Sequence, residues 1–330
     1  MNKFNKLIFA SLSLLGLTVM TSCEGSTLTI EDAVANQRVM TAVTQMTTTQ
    51  MDSFQIDVTA DVAYSQKVYD DQLALITQRN LDASGAVHVK ANNIFEDDAT
   101  GSVLVSATVH AEEDSEVLVD IAAEAGLYLS EGWAYADITE VAPLFALLGE
   151  EAPTVTTLKT HVGNLATAIG YDPAQPIELP FESDAIMSYM NTLKDIKATE
   201  SNGELIVVYT ITINDIVDVY MKVMADSGEF NPDEMTSEEI AQIRTMVLTQ
   251  ISGVIDITTA KFTLGVGADG FINKLYADLN VTVTVPGETG HEVHKLAGSL
   301  HIDISNVNQV VDVVLPDNLD TYTEIPEEAA

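Results

Sequence analysis

A single cysteine, Cys23, stands in a chain of 330 residues. Intrachain disulfides are thereby excluded, and the fold has to stand on packing alone. Cations are also scarce: 14 Lys and Arg face 50 Asp and Glu, a formal net charge of -36. A field of that sign repels phosphate backbones and anionic headgroups. It excludes nucleic acid as a partner and argues against membrane attachment through a basic surface. The short motifs that announce catalysis are missing too, with no Gly-x-Ser-x-Gly, no Gly-x-x-x-x-Gly-Lys and no paired cysteines. Gly265 and Gly267 flank Val266 at a strand-turn and not at a helix start, so they form no dinucleotide loop. No Pro-, Gly- or Ser-rich linker is long enough to split the chain into independent domains. A hydrophobic fraction of 46% rules out reading the acidity as disorder.

Only one run is apolar enough to raise the question of a membrane. Lys3 and Lys6 precede Leu7 to Val19, which is too short for a comfortable span and has the length of a signal-peptide core. It ends at Met20-Thr21-Ser22-Cys23, which resembles the lipobox of bacterial lipoproteins, with Met20 a less usual first residue. The resemblance implies cleavage before Cys23 and a diacylglyceryl group on its sulfur. Two acyl chains anchor stably where one binds marginally. The expected organisation is a signal peptide over 1–22, a lipidated tether over 23–30, one domain over 31–320 and an acidic tail over 321–330. The mature protein is expected at the cell membrane, held by lipid and facing away from the cytoplasm.

Alternation is what the chain has in quantity. Phe54, Ile56, Val58, Ala60, Val62 and Tyr64 alternate with Gln55, Asp57, Thr59 and Asp61. Val103, Val105, Ala107 and Val109, then Val117, Val119, Ile121 and Ala123, repeat the pattern. So do Val87 and Val89, and Leu275 through Val285. Successive strand side chains point to opposite faces, so each segment offers one apolar and one wetter face. Ser130-Glu131-Gly132 and Asp269-Gly270 are hairpin turns. Helices are expected from Thr29 to about Thr49 (Val34, Val39, Val43 and Met46 inward) and near Val141 to Leu148. Others are expected from Thr154 through Ile169, over Ser183 to Lys194, after Asn214, and from Thr236 with Glu239 at capping-box spacing. Asp312 to Pro316 reads as a closing strand.

Taken in order, the lipidated cysteine, the N-terminal helix, the long meander, the inserted helices and the closing hairpin resemble the LolA/LppX-type lipoprotein fold. Tyr128 to Ile138, and the Asp269-Gly270 hairpin leading to Val314-Leu315-Pro316, carry the resemblance. It implies an α+β fold: a large, strongly curved antiparallel sheet, a half-barrel, with helices covering the concave face. Some members carry lipids or lipoproteins in that cavity.

Site candidates are few. His291 and His294 stand three apart, but beside Gly287 and Gly290 they read as solvated turn residues without a third ligand. Asp226, Asn231, Asp233 and Glu234 miss calcium-loop spacing because Ser227-Gly228 interrupts them. No catalytic residue, metal or cofactor is expected, and the chain is read as a non-enzyme. Methionines on the covering helices are the more suggestive feature, since flexible thioethers suit a wall that accepts varied apolar shapes. Met187 and Met190, with Tyr209 and Ile211 from the sheet and Phe145 and Leu148 from the apolar turn, are the candidate ligand-binding residues. Ordinary core filling explains the same residues. Two functions therefore stand: a membrane-anchored surface lipoprotein holding a lipid-like ligand between sheet and helices, or a surface interaction or structural lipoprotein with a solid core.

Overall fold

The computed structural model describes residues 30–49, 51–164, 195–201, 203–228, 231–232, 235–287 and 289–325. Its frame is one open twelve-stranded sheet. In chain order the strands are β1 (Phe54–Tyr69), β2 (Leu75–Asn92), β3 (Thr100–Glu113), β4 (Glu116–Ser130), β5 (Trp133–Asp137) and β6 (Thr157–His161). They continue with β7 (Asp195–Ser201), β8 (Glu204–Thr210), β9 (Ile255–Val266), β10 (Ile272–Gly287), β11 (Gly290–Ser305) and β12 (Thr323–Glu324). In space they run β12-β6-β5-β4-β3-β2-β1-β11-β10-β9-β8-β7. Four α-helices are described: α1 (Ile30–Thr48), α2 (Ala142–Leu148), α3 (Ile213–Asp226) and α4 (Ser237–Ser252). The molecule is α+β with a curved sheet that does not close into a barrel.

The long strands follow from their alternation. β1 lies between β2 and β11 in continuous antiparallel register, with Ile56 opposite both Val89 and Ile304. A short turn makes the β1–β2 pairing local, whereas the β1–β11 pairing joins segments far apart in the chain. Asp114 and Ser115 both adopt positive φ between β3 and β4, the geometry whose twist suits a two-residue hairpin. At the β10–β11 turn Gly290 is obligatory, because an added Cβ would lie 1.9 Å from the Tyr69 carbonyl oxygen. The turns after β1, β3 and β10 all lie at one end of the sheet, since β1 and β10 both pair antiparallel to β11.

Five expectations are corrected. Thr157–His161 is a strand paired to β5 and not part of a helix from Thr154. The β-branched Thr154, Val155, Thr156, Thr157 and Thr160 suit a pleated strand, and that local preference prevails over the helical spacing of Leu158 and Val162. Val117 leaves the alternation of β4 because the register shifts between Ala111 and Glu112. Residues 312–316 are not a strand; the closing strand is β12, which pairs parallel to β6 and makes the sheet mixed. Residues 321–325 thus belong to the sheet edge and not to a tail. On α1, Val34 is half exposed, and the inward side is Ala35, Val39 and Ala42 with Val43 and Met46.

The core sits at one side of the sheet. α1 packs on β7, β9 and β10, burying Val39 and Ala42 against Leu205, Val207, Tyr209, Leu264 and Val266. Ile213 of α3 and Ile251 of α4 pack against Ile255, Val281 and Val283. Val217 and Met221 of α3 meet Val247 of α4. Each such large apolar side chain contributes about 1.5–3 kcal/mol. Reciprocal capping boxes open α3 (Thr212 with Asp215) and α4 (Thr236 with Glu239). The segment after β11 returns beneath β1 and β2: Asn308 donates its backbone N–H to Ser53 O, and Asn92 exchanges two hydrogen bonds with the Val311 backbone.

Candidate functional site

Register assigns every strand residue to a face. Because directly paired residues share a face, one apolar surface can be traced from β4 to β10. Across β3, β2, β1, β11 and β10 it holds the rows Val105–Val87–Val58–Ile302–Leu275, Ala107–Gly85–Ala60–Leu300–Ala277 and Val109–Ala83–Val62–Gly298–Leu279. Ala125, Ala123 and Ile121 extend these rows onto β4. Along β1 the apolar stretch from Ile56 to Tyr64 covers eight residue steps, about 26 Å at the usual rise. The middle row consists of alanine and glycine apart from Leu300, so the surface is shallowest along its midline.

Cover is uneven along that face. Leu205, Val207, Tyr209, Leu264, Val281 and Val283, on β8 to β10, are buried under helices. On β11, β1, β2, β3 and β4 the same face stays partly open: Val62 is 41% exposed, Val105 38%, Leu127 50% and Leu300 37%. The described helices pack instead on β7, β9 and β10, while the short α2 lies against β4 and the 3-10 turn Thr139–Val141. A connected, partly exposed apolar surface across five strands is a candidate binding surface.

The opposite face is mainly polar, with Leu104 and Val293 among its exceptions. His88 Nδ1 lies 2.7 Å from Asp57 Oδ1, Gln55 donates to Asp57 Oδ2 at 2.7 Å, and Ser84 bonds Thr108 at 2.7 Å. Partial burial raises the Asp57 pKa, but the hydrogen bonds from His88 and Gln55 outweigh it and hold the carboxyl below its ordinary value. Tyr276 donates to Asp303 on that side; burial first, then this carboxylate, pushes the phenol up to about 12.

A row of polar residues ends the apolar surface at the hairpin-turn end. One row beyond Leu81–Tyr64–Leu296 stand Glu113, Arg79, Gln66 and His294, on β3, β2, β1 and β11. Arg79 Nε and Nη2 both reach Glu113 Oε1 at 2.8 Å. Tyr64 Oη lies 2.8 Å from His294 Nδ1, and His294 Nε2 3.3 Å from Glu292 Oε2. Gln66 donates to the same carboxylate oxygen at 3.0 Å. Burial, then the nearby Glu292 charge, raises the Tyr64 pKa. His291 and His294 are thus strand residues of β11 and not turn residues; His291 stacks on Tyr69 with ring centroids 4.8 Å apart.

A separate cleft of about 540 Å³ is lined by Asp195, Thr212, Asn214, Asp215, Asp218 and Arg244. Arg244 spans it, with Nε 2.7 Å from Asp218 and Nη2 3.2 Å from Asn214, while Asp215 is occupied in the α3 capping box. Its side chains tie α3 to α4. Among the described residues no group of three or more His, Cys, Asp or Glu converges as a metal site requires, and no helix is long and apolar enough to cross a membrane.

The sequence candidates divide three ways. Cys23, Met187 and Met190 lie outside the described residues. Tyr209 is 1% exposed beneath α1, its hydroxyl donating to Asn36 Oδ1 at 2.7 Å, and the half-buried Ile211 donates its N–H to Ala260 O. Phe145 is half buried on α2, which Leu148 ends. β8, which carries Tyr209, and β4, which α2 touches, stand seven strands apart, about 34 Å along the sheet. The two groups are not brought together. Between them lies the apolar surface of β11 and β1 to β3, whose alternation was the available signal.

No protein-family model matches the sequence, and no curated protein is similar to it. Among solved structures, one described as lipid–protein interactions in lipovitellin aligns with 81% of this chain at 8% identity and a TM-score of 0.26. The chain spans about a quarter (26%) of that structure's length. Pseudomonas aeruginosa OpdQ aligns at 7% identity and a TM-score of 0.16, over 83% of this chain and 74% of its own. A β-barrel-like protein of Brucella abortus, of the domain of unknown function DUF1849, aligns at 10% and 0.15, over 76% and 98%. Scores this low carry no conclusion about fold or function.

Proposed function

We propose that the protein is a non-enzymatic surface lipoprotein, anchored through Cys23, that lays an amphipathic, lipid-like ligand against the apolar face of β11 and β1 to β4. The observation that carries this reading is the partial exposure of Val62, Val105, Leu127 and Leu300 on one connected face. Its 26 Å length exceeds the roughly 15 Å depth of one bilayer leaflet, so an acyl chain fits along a strand. The small side chains of the middle row leave room for it. Mass spectrometry of lipids retained by the mature chain, with a fluorescent fatty-acid titration, tests the proposal. Saturable uptake is expected. Leu300→Asp, which puts a charge on that face, abolishes it, while Thr59→Asp on the polar face leaves it intact. Retained uptake in Leu300→Asp overturns the proposed location.

A second reading has its own support. Leu73, Leu75, Ile76, Val117 and Leu118 stand exposed around the hairpin turns at one end of the sheet. Leu73 adopts a φ of 64°, where glycine or asparagine is the usual choice. Such tips suit a protein contact. Absence of any lipid uptake leaves the interaction lipoprotein as the function.

A further inference from the structure

We infer that the polar row closing the apolar face is a headgroup subsite, built for an amphiphile whose head carries an ammonium group. The inference rests on the ligand-binding reading above and names the chemistry at one end of that site. Charge pairing decides the class. Arg79 is committed to Glu113 through two contacts at 2.8 Å, and that pair is neutral. Glu292 is different: its described side-chain partners are Gln66, a neutral amide at 3.0 Å, and His294, whose nitrogen stands 3.3 Å away. Its side chain keeps 44% of its exposure. A carboxylate without a permanent cation thus sits at the rim of an apolar surface, within a chain of net charge -36.

Its neighbours complete the subsite. Tyr64 closes the last apolar row, holding His294 through its hydroxyl at 2.8 Å. An ammonium head placed at Glu292 would gain the carboxylate as counter-ion. An anionic head would meet Glu292 and the field of the whole molecule. The tail of either would run from Tyr64 toward Ile56 along the same rows.

The test is titration calorimetry of the mature chain with three ligands of equal chain length, dodecylamine, dodecanol and laurate, below their micellar concentrations at pH 7 and low salt. The amine is expected to bind at least ten-fold tighter than laurate, with dodecanol between. Glu292→Gln should erase the amine's advantage over dodecanol while leaving dodecanol binding unchanged. Glu131→Gln, a carboxylate in the β4–β5 turn at the other end of the sheet, should leave all three unchanged and separates a local effect from general attraction to an acidic protein. Equal binding of the three ligands, or an amine preference that survives Glu292→Gln, overturns the subsite while leaving the apolar face as binding site. No binding of any of them overturns both.

Discussion

At the scale of the residue, Glu204 shows how a surface group in this acidic chain becomes structural. Lys274 Nζ lies 2.6 Å from its Oε1 and Asn273 donates to the same oxygen at 3.0 Å. The lysine first and the amide second hold the carboxyl below the ordinary glutamate value. A pKa depressed by folding contributes stability above the unfolded value and loses it as pH falls through the folded one. Glu204→Gln should therefore melt below the parent at pH 7, and the two curves should converge as pH drops below about 4. A difference in melting temperature that stays constant from pH 7 to pH 3 would show that ionisation of Glu204 is immaterial. Tyr209 makes the contrasting case. The sequence offers it as a ligand-lining residue of the sheet, and the packing of α1 shows that its hydroxyl is spent on Asn36 and that its ring fills a core.

Elements were legible where local chemistry is strong. The capping box at Thr236 and Glu239 is readable from spacing, and both halves are present: Glu239 N–H donates to Thr236 Oγ1 at 3.3 Å, while Thr236 N–H donates to Glu239 Oε2 at 2.8 Å. Thr236→Ala should destabilise the protein by about 1 kcal/mol in urea unfolding without changing the dependence on denaturant. A change below a few tenths would mean that α4 is held by its contacts with α3 alone. The helix expected from Thr154 failed for a related reason. Its apolar spacing could suit either state, and pairing with β5, a contact distant from any local signal, selected the strand. Val117 slipped out of phase because a register shift depends on the partner strand as much as on its own residues.

For the whole molecule, attachment and acidity combine. With 14 cations against 50 carboxylates, the folded chain has little means of holding an anionic membrane by charge, so the proposed lipid at Cys23 must supply the affinity. Cys23→Ser should release the protein from membranes or leave it unprocessed with its leader attached, as fractionation and intact mass would show. Processing and membrane retention equal to the parent would remove lipidation from the proposal. The hydrophobic surface has a similar global logic. The helices α1, α3 and α4 bury the face of β8 to β10 but stop short of β11 and β1 to β3, so the sheet is core at one side and open at the other.

The amino-acid sequence by itself determined the alternation of β1, β2, β3 and β10, the strongest turns, the capped start of α4 and the sign of the molecular field. These depend on neighbours within a few residues or on composition. Tertiary structure decided what no local rule contains: that paired rows from β4 to β10 join into one apolar face, and that the described helices α1, α3 and α4 pack at one side of it. It also decided that Tyr64, Gln66, Glu292 and His294 meet although more than 220 residues separate β1 from β11. Strand pairing between distant segments sets those positions, and each depends on the register of every strand between.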